Sequence, residues 1–363
     1  MKLQINPPAL LASVKKINQV IDRKPLISIL SNALFSFDND SNLSLRGSNT
    51  EIDLIVKNVD YINVEQPQNF CVDSVKLANI LTTLNDSSIT IKTTKNMLSI
   101  KHSKGTIKLP IYDATEFPQL NSISAEAKKY VINDANDFRQ KLVRVTSYTG
   151  NDILRPIMTN VLVEIANNNI TLVASDTHKL IASNIPCETT GSDMLLIPTR
   201  ASKLIADTSF EQIAIWAEEK RVTFVCGNDV ISHKVMEGKY PNWRLVIPKN
   251  NNIRVTVNCD ELKDSLKRLG VLSNVDFVKL SCSNETKKMG VELQDIDYAI
   301  SGDEEIDLID YSGDNICIGF NVNNLLQVLG GFDGDVTIEM ADSNKAAVIE
   351  SNNTTTLLMP VTI

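Results

Sequence analysis

Residues 253–274 read IRVTVNCDELKDSLKRLGVLSN, and this stretch decides the fold. Ile253, Val255 and Val257 alternate with Arg254 and Thr256, the period-two pattern of a half-buried strand. Asn258 is placed to cap a helix, with Glu261 three positions on as in a capping box. Leu262, Leu266 and Leu269 then fall at i, i+4 and i+7, one apolar helical face, while Lys263, Lys267 and Arg268 lie mostly off it. The prediction is a strand running straight into a helix.

The same unit occurs twice earlier. Leu3 and Ile5 form a strand, Asn6 is the cap, Pro7 opens the helix, and Leu10, Val14 and Ile17 make its apolar face. In the middle of the chain Asp134 caps a helix with Phe138, Leu142 and Val145. A second strand–helix unit recurs in the same rhythm: FCVDSVKLANILTTL (70–84) with Asp73 as cap, LLIPTRASKLIA (195–206) with Pro198 in the cap place, and IGFNVNNLLQVL (318–329) with Asn321. Both markers repeat at about 125 residues, the size of a whole domain rather than of a solenoid repeat. Three copies of one domain follow, over residues 1–125, 126–252 and 253–363.

Between the helices the chain reads as short strands. Leu34, Phe35 and Phe37 precede a turn at Asp38–Asn42, then come Leu43 and Leu45, and Ile52, Leu54 and Val56 alternate. After the second helix, Ile89–Ile91, Met97–Ile100 and Ile107–Ile111 form a meander. In the second copy Ile157–Ile165, Ile170–Ala174 and Lys179–Ile185 precede the helix, and Ile213–Ala217, Val222–Cys226 and Val230–Met236 follow it. The third has Val278–Cys282, Met289–Leu293 and Glu305–Asp310, then Val336–Met340, Ala346–Glu350 and Thr355–Val361. Each copy is an α+β domain with helices on one face of antiparallel sheet.

The 363 residues are 43% hydrophobic and 22% charged, ordinary for a globular protein. No apolar run is long enough for a transmembrane helix, and MKLQINPPALL lacks a signal-peptide core. The six cysteines show no CxxC pair and read as reduced, buried thiols of a cytoplasmic protein. The net charge of −8 argues against an all-over basic surface, but not against basic residues gathered on one face. The helices do lean basic, with Lys15, Lys16, Arg23, Lys24, Lys76, Arg139, Lys141, Arg144, Arg200, Lys203, Lys263, Lys267 and Arg268. That distribution fits either ordinary solvated helix faces or a surface that meets a phosphate backbone without reading bases.

Catalytic constellations are scarce. There is no G-x-S-x-G, Walker loop, G-x-G-x-x-G or HExxH, and no cofactor or metal site is expected. The acidic run DEEIDLID (303–310) matches no calcium loop. Of three histidines, His102 lies in a basic loop and His233 in a strand-like run. His178, in ASDTHKL, has Ser175 and Asp176 beside it, so a hydrolase built on Asp176 and His178 is one alternative. A structural multidomain protein with no DNA role is another.

The three-fold repeat, ASDTHKL (174–180), GKYPNWRLVIP (238–248), GFNVNNLLQVL and the ending LLMPVTI together resemble the bacterial DNA polymerase III β subunit, the sliding-clamp family, over essentially the whole chain. The resemblance implies three repeated DNA-clamp domains, helices on the inner face and antiparallel sheets outside, closing as a two-subunit ring around duplex DNA. It implies a non-catalytic role: tethering the replicative polymerase and other replication and repair factors, without sequence-specific DNA binding. By family position the homodimer contact sets Ile107 and Leu109 against Val271 and Leu272. DNA-facing positions are Lys24, Lys76, Arg144, Arg200, Lys203 and Lys267, whereas Val75 stands where a basic residue is usual. DNA polymerase III and the clamp loader would dock short linear peptides in a groove formed by Met158, Ser175, Thr177, His178, Lys179, Leu180, Pro241, Leu245, Val246, Asn324, Ala346, Leu357, Met359, Pro360, Val361 and Thr362. The pattern departs at Thr177, where glycine is common, at Lys179, Leu245 and Thr362, where arginine is common, and at Asn324, where tyrosine is common. A less basic groove is expected.

Overall fold

The computed structural model describes all residues except 153, 188–190, 273–275, 296–297, 352 and 363. Among the described residues there are six α-helices: α1 (Pro7–Asn18), α2 (Ser74–Thr82), α3 (Ala135–Thr146), α4 (Thr199–Ala206), α5 (Cys259–Gly270) and α6 (Val322–Leu329). Each follows a strand: Lys2–Ile5, Phe70–Asp73, Lys128–Ile132, Asp193–Pro198, Ile253–Asn258 and Ile316–Asn321. The repeat read from the sequence is therefore present six times over, two units per copy.

Local chemistry explains the helix starts. The Asn258 side chain accepts from the amides of Asp260 and Glu261, Asp73 from Lys76, Asp134 from Asp137, and Asn321 from Asn324. Asn6 and Pro198 hold the cap position without a side-chain bond. At α1 the start rests instead on proline at the first turn, where a missing N–H costs nothing. The i, i+4, i+7 faces are buried as expected: Leu10, Val14 and Ile17, then Phe138, Leu142 and Val145, then Leu262, Leu266 and Leu269.

The chain divides into two compact units, Met1–Gln140 with Cys187–Thr189 and Ile197–Met236, and Lys141–Pro186 with Thr190–Leu196 and Glu237–Ile363. The division runs through the central copy, because strand pairing joins neighbouring copies. In the first unit Asp229–Lys234, from the central copy, pairs antiparallel with Ile52–Val56 from the first, setting Ile231 opposite Leu54. Beside that junction the buried Asp53 carboxylate accepts from both Arg46, at 2.6 Å, and Arg221, at 2.6 Å. Two guanidinium partners offset the desolvation of one carboxylate. In the second unit Lys179–Pro186 pairs with Thr354–Leu358 from the third copy, Leu180 opposite Leu357. That ladder carries the site described below.

The strand expected over Thr355–Val361 stops at Leu358, with Val361 keeping a single bridge to Gly319, and three further expectations differ from the structure. Ile157–Ile165 is not strand throughout: Pro156–Thr159 is a 3-10 turn, and the strand begins at Asn160. Pro156 has no N–H for a ladder, and the Asn160 side-chain amide instead donates to its carbonyl at 2.8 Å. The strand placed at Glu305–Asp310 runs over Ile300–Asp307. Its inward positions are Gly302 and Glu304 as well as Ile306, so the expected apolar alternation is absent, and Glu304 is half-buried by its pair with Arg268 at 2.7 Å. Not every thiol is buried as expected: Cys317 is exposed, pointing away from the face that Ile316 and Ile318 bury, and Cys187 is half-buried.

Candidate functional site

Strands Asn169–Ser175 and Lys179–Pro186 are joined by a tight turn. Ser175 Oγ accepts the Thr177 amide at 3.1 Å and donates to the Lys179 carbonyl at 2.9 Å. Asp176 Oδ1 accepts the amides of His178, at 3.0 Å, and Lys179, at 2.9 Å. These bonds hold Thr177 at φ 79°, left-handed backbone that a β-branched residue rarely adopts. The same geometry removes the hydrolytic alternative. The Ser175 hydroxyl is bonded to the turn backbone rather than to an imidazole, and Asp176 binds amides and Lys179 rather than orienting His178. His178 is exposed.

The turn is tied to the third copy by side chain and by backbone. Lys179 is buried, and its ammonium donates to Asp176 Oδ2 and, at 3.0 Å, to Asn324 Oδ1 in the first turn of α6. The Met359 amide donates to the His178 carbonyl at 2.8 Å, and the Val361 amide to the Gly319 carbonyl at 2.9 Å. The segment Met359–Val361 thus runs between the turn and strand Ile316–Asn321.

The other predicted groove residues distribute as follows. Met158 lies beside the turn: Gly150 donates to its carbonyl at 2.8 Å, and a Cβ on Gly150 would stand 3.6 Å from both Asp176 Cα and Met158 Cβ. A 3-10 turn over Trp243–Val246 is pinned by Arg244, which is bidentate to Glu164 at 3.0 and 2.8 Å and stacks 4.2 Å from the Trp243 ring. Leu245, Val246 and Pro241 are left exposed, Leu245 at 81%. Met359 and Thr362 are exposed, and Pro360 and Val361 half-buried. Leu180, Ala346 and Leu357 are buried. Leu154, just before the turn that carries Met158, is 89% exposed and was not singled out from sequence; no periodicity marks a lone leucine in a loop. The local charges are largely paired, Lys179 with Asp176 and Arg244 with Glu164.

The predicted DNA-facing residues fall into two groups. Lys24, Lys76, Lys203 and Lys267 are exposed. Lys76 pairs with Asp73 at 3.1 Å and Lys267 with Asp264 at 3.5 Å, both on solvated helix surface where such pairs are weak. Arg200 and Arg144 are committed to the fold. Arg200 donates to Asp22 at 2.5 Å and to the carbonyls of Gln19 and Ile21 at 2.9 and 3.2 Å. The Arg144 guanidinium packs 4.5 Å from the Phe332 ring and fills the space a Cβ on Gly331 would take. Desolvation lowers its pKa. A cavity of about 290 Å³ beside Arg144, lined also by Asp333, Asp335 and Glu350, shares no residue with the predicted groove.

Of the predicted subunit-contact residues, Val271 is 83% and Leu272 41% exposed, Ile107 is half-buried, and Leu109 is already buried within the chain. Among the described residues no group of three or more His, Cys, Asp or Glu side chains is arranged to hold a metal, and no helix is long and apolar enough to cross a membrane.

Three copies of a two-helix, antiparallel-sheet domain, joined by edge pairing between copies, define a clamp-type protein. Sequence patterns described as DNA polymerase III beta subunit N-terminal, central and C-terminal domain match residues 1–121, 134–242 and 244–362. The chain belongs to the DNA polymerase III beta subunit family. It is similar to the beta sliding clamps of Pseudomonas putida and Escherichia coli K12, each 24% identical over 99% of this chain and 100% of the relative. Its fold matches the sliding clamp of Bacillus subtilis with a TM-score of 0.92 at 20% identity, over 100% of this chain and 99% of that one. It likewise matches a Pseudomonas aeruginosa clamp bound to griselimycin, with a TM-score of 0.92 at 22% identity over the whole of both chains.

Proposed function

We propose that the chain is a non-catalytic sliding clamp that encircles duplex DNA as a two-subunit ring and tethers the replicative polymerase. The observation that carries this reading is the match of all three family patterns, in order, to a chain built as three copies of one domain. Three like domains per chain suit a closed ring made by head-to-tail contact of two subunits. Val271 and Leu272 of one subunit, exposed here, would meet Ile107 and the Leu109 strand of the other. Lys24, Lys76, Lys203 and Lys267 would face phosphates, giving contacts that carry no sequence information and so permit sliding. Arg144 and Arg200 serve this surface by holding its helices rather than by touching DNA. The domain limits are residues 1–125, 126–252 and 253–363, and the protein works in the cytoplasm.

Partner peptides from DNA polymerase III and the clamp loader dock where the 175–179 turn, the Trp243–Val246 turn and the segment Met359–Val361 present His178, Leu245, Val246 and Met359. Exposed apolar side chains around a few polar groups suit short linear anchors. With Lys179 buried and Leu245 and Thr362 uncharged, this groove selects by shape and apolar contact more than by charge. The test is primer extension by a DNA polymerase III core with and without the protein, under conditions of one binding event. The protein should lengthen the products once loaded on the template; products of unchanged length would refute the role.

A further inference from the structure

Lys179 is a lysine at 6% exposure in a turn whose neighbours Thr177 and His178 are exposed. Such a residue does not offer its ammonium to solvent or to a bound peptide; the ammonium is turned into the fold, where a buried polar group needs acceptors. Those acceptors lie on two different elements. Asp176 belongs to the turn, and its other oxygen already holds the His178 and Lys179 amides. Asn324 belongs to α6, and its own amide is held by the Asn321 cap. The strand that feeds α6 carries Gly319, whose carbonyl accepts the Val361 amide, and the turn carries His178, whose carbonyl accepts the Met359 amide. The spacing of turn and helix therefore sets the course of Met359–Val361.

We propose that Lys179 is a positioning residue of the peptide groove. Its buried ammonium bridges the 175–179 turn to the first turn of α6 and so fixes the two walls between which Met359–Val361 runs. The proposal rests on the docking reading above. It assigns Lys179 a role through Asp176 and Asn324, not through the peptide: ordering the walls beforehand spares the peptide that cost on binding. It also gives Asn324 a reason to stand where it does, since its side-chain oxygen meets an ammonium that would otherwise have one acceptor side chain fewer.

The test measures fluorescence anisotropy of two labelled hexapeptides with the same leucine and phenylalanine anchors, one neutral and one carrying two aspartates. The full-length protein is compared with Lys179→Met, Asn324→Ala, the double variant and Lys179→Arg. Each of the first two should weaken both peptides by the same factor, about tenfold, and the double variant should be no worse than the stronger single one. Lys179→Arg should recover most of the affinity. If Lys179→Met fails to fold in a thermal melt, Asn324→Ala, at a half-buried site, carries the test alone. A loss confined to the aspartate peptide and abolished by salt would mean direct contact, and unchanged affinity in Asn324→Ala would mean no bridge; either overturns the proposal. Wild-type protein that binds neither peptide would overturn the docking reading, and the positioning role with it.

Discussion

The Lys179 ammonium stands 3.0 Å from Asn324 Oδ1. The sequence resemblance marks both as positions where another residue type is expected, and the structure puts their side chains in contact. A lysine here needs a compact acceptor, which an asparagine at the start of α6 supplies. The pairing is visible only once the turn and the helix are placed beside each other.

Thr177 pays for the same turn. At φ 79° its Cβ crowds the backbone, whereas glycine would not. Thr177→Gly should raise stability by about 1 kcal/mol, read as a higher midpoint in urea, with the turn bonds unchanged. A lower midpoint would mean that the threonine side chain contributes more than its backbone strain costs.

His233 makes folding pH-dependent. It is fully buried against Phe224 in the strand that joins the first two copies, and burial pushes its pKa down from 6.5 to about 4. Between those values the unfolded chain binds a proton that the folded chain refuses, so stability falls as pH falls through the window. The full loss is roughly 3 kcal/mol. Urea midpoints from pH 7 to pH 4 should drop for the wild type and drop less for His233→Phe. Equal slopes for both would mean that His233 does not govern the acid limb.

Leu272 tests the subunit contact. It is partly exposed, and it packs over Gly302, where a Cβ would come within 2.7 Å of its Cδ1. Leu272→Asp should place an unpaired charge in the proposed contact at a cost of several kcal/mol. Sedimentation should show a folded monomer for the variant and a dimer for the wild type; a dimer in both would move the contact elsewhere.

Removing Met359–Ile363, whose last residue lies outside the described ones, deletes the two backbone bonds from Met359 and Val361 but spares the ladder through Leu358. The truncated chain should stay folded and dimeric and lose binding to a polymerase-derived peptide. Unchanged peptide affinity would take Met359 and Pro360 out of the site.

The repeat was legible because each copy buries a helix face at i, i+4 and i+7 four residues after a cap, a local signal. The ladder Lys179–Pro186 against Thr354–Leu358 was not, since pairing across about 175 residues leaves no periodic trace in either strand. Nor was the fate of the charges. Lys24 and Arg200 look alike in sequence, yet one is solvated and the other is used up on Asp22 and two carbonyls. Lys179 reads from sequence as a groove residue, yet its side chain is buried against Asp176 and Asn324. The exposed strand over Ile300–Asp307 was misplaced because Arg268 lets Glu304 take an inward position.

The central claim is a topological one: the protein stays on DNA because it surrounds it. The direct measurement is retention of labelled protein on nicked circular DNA in a sizing column at high salt, after incubation with a clamp loader and ATP. The account predicts co-elution with the circle only when loader and ATP are both present, and release once the circle is cut to a linear form. Retention that survives linearisation, or that never depends on the loader, would contradict it.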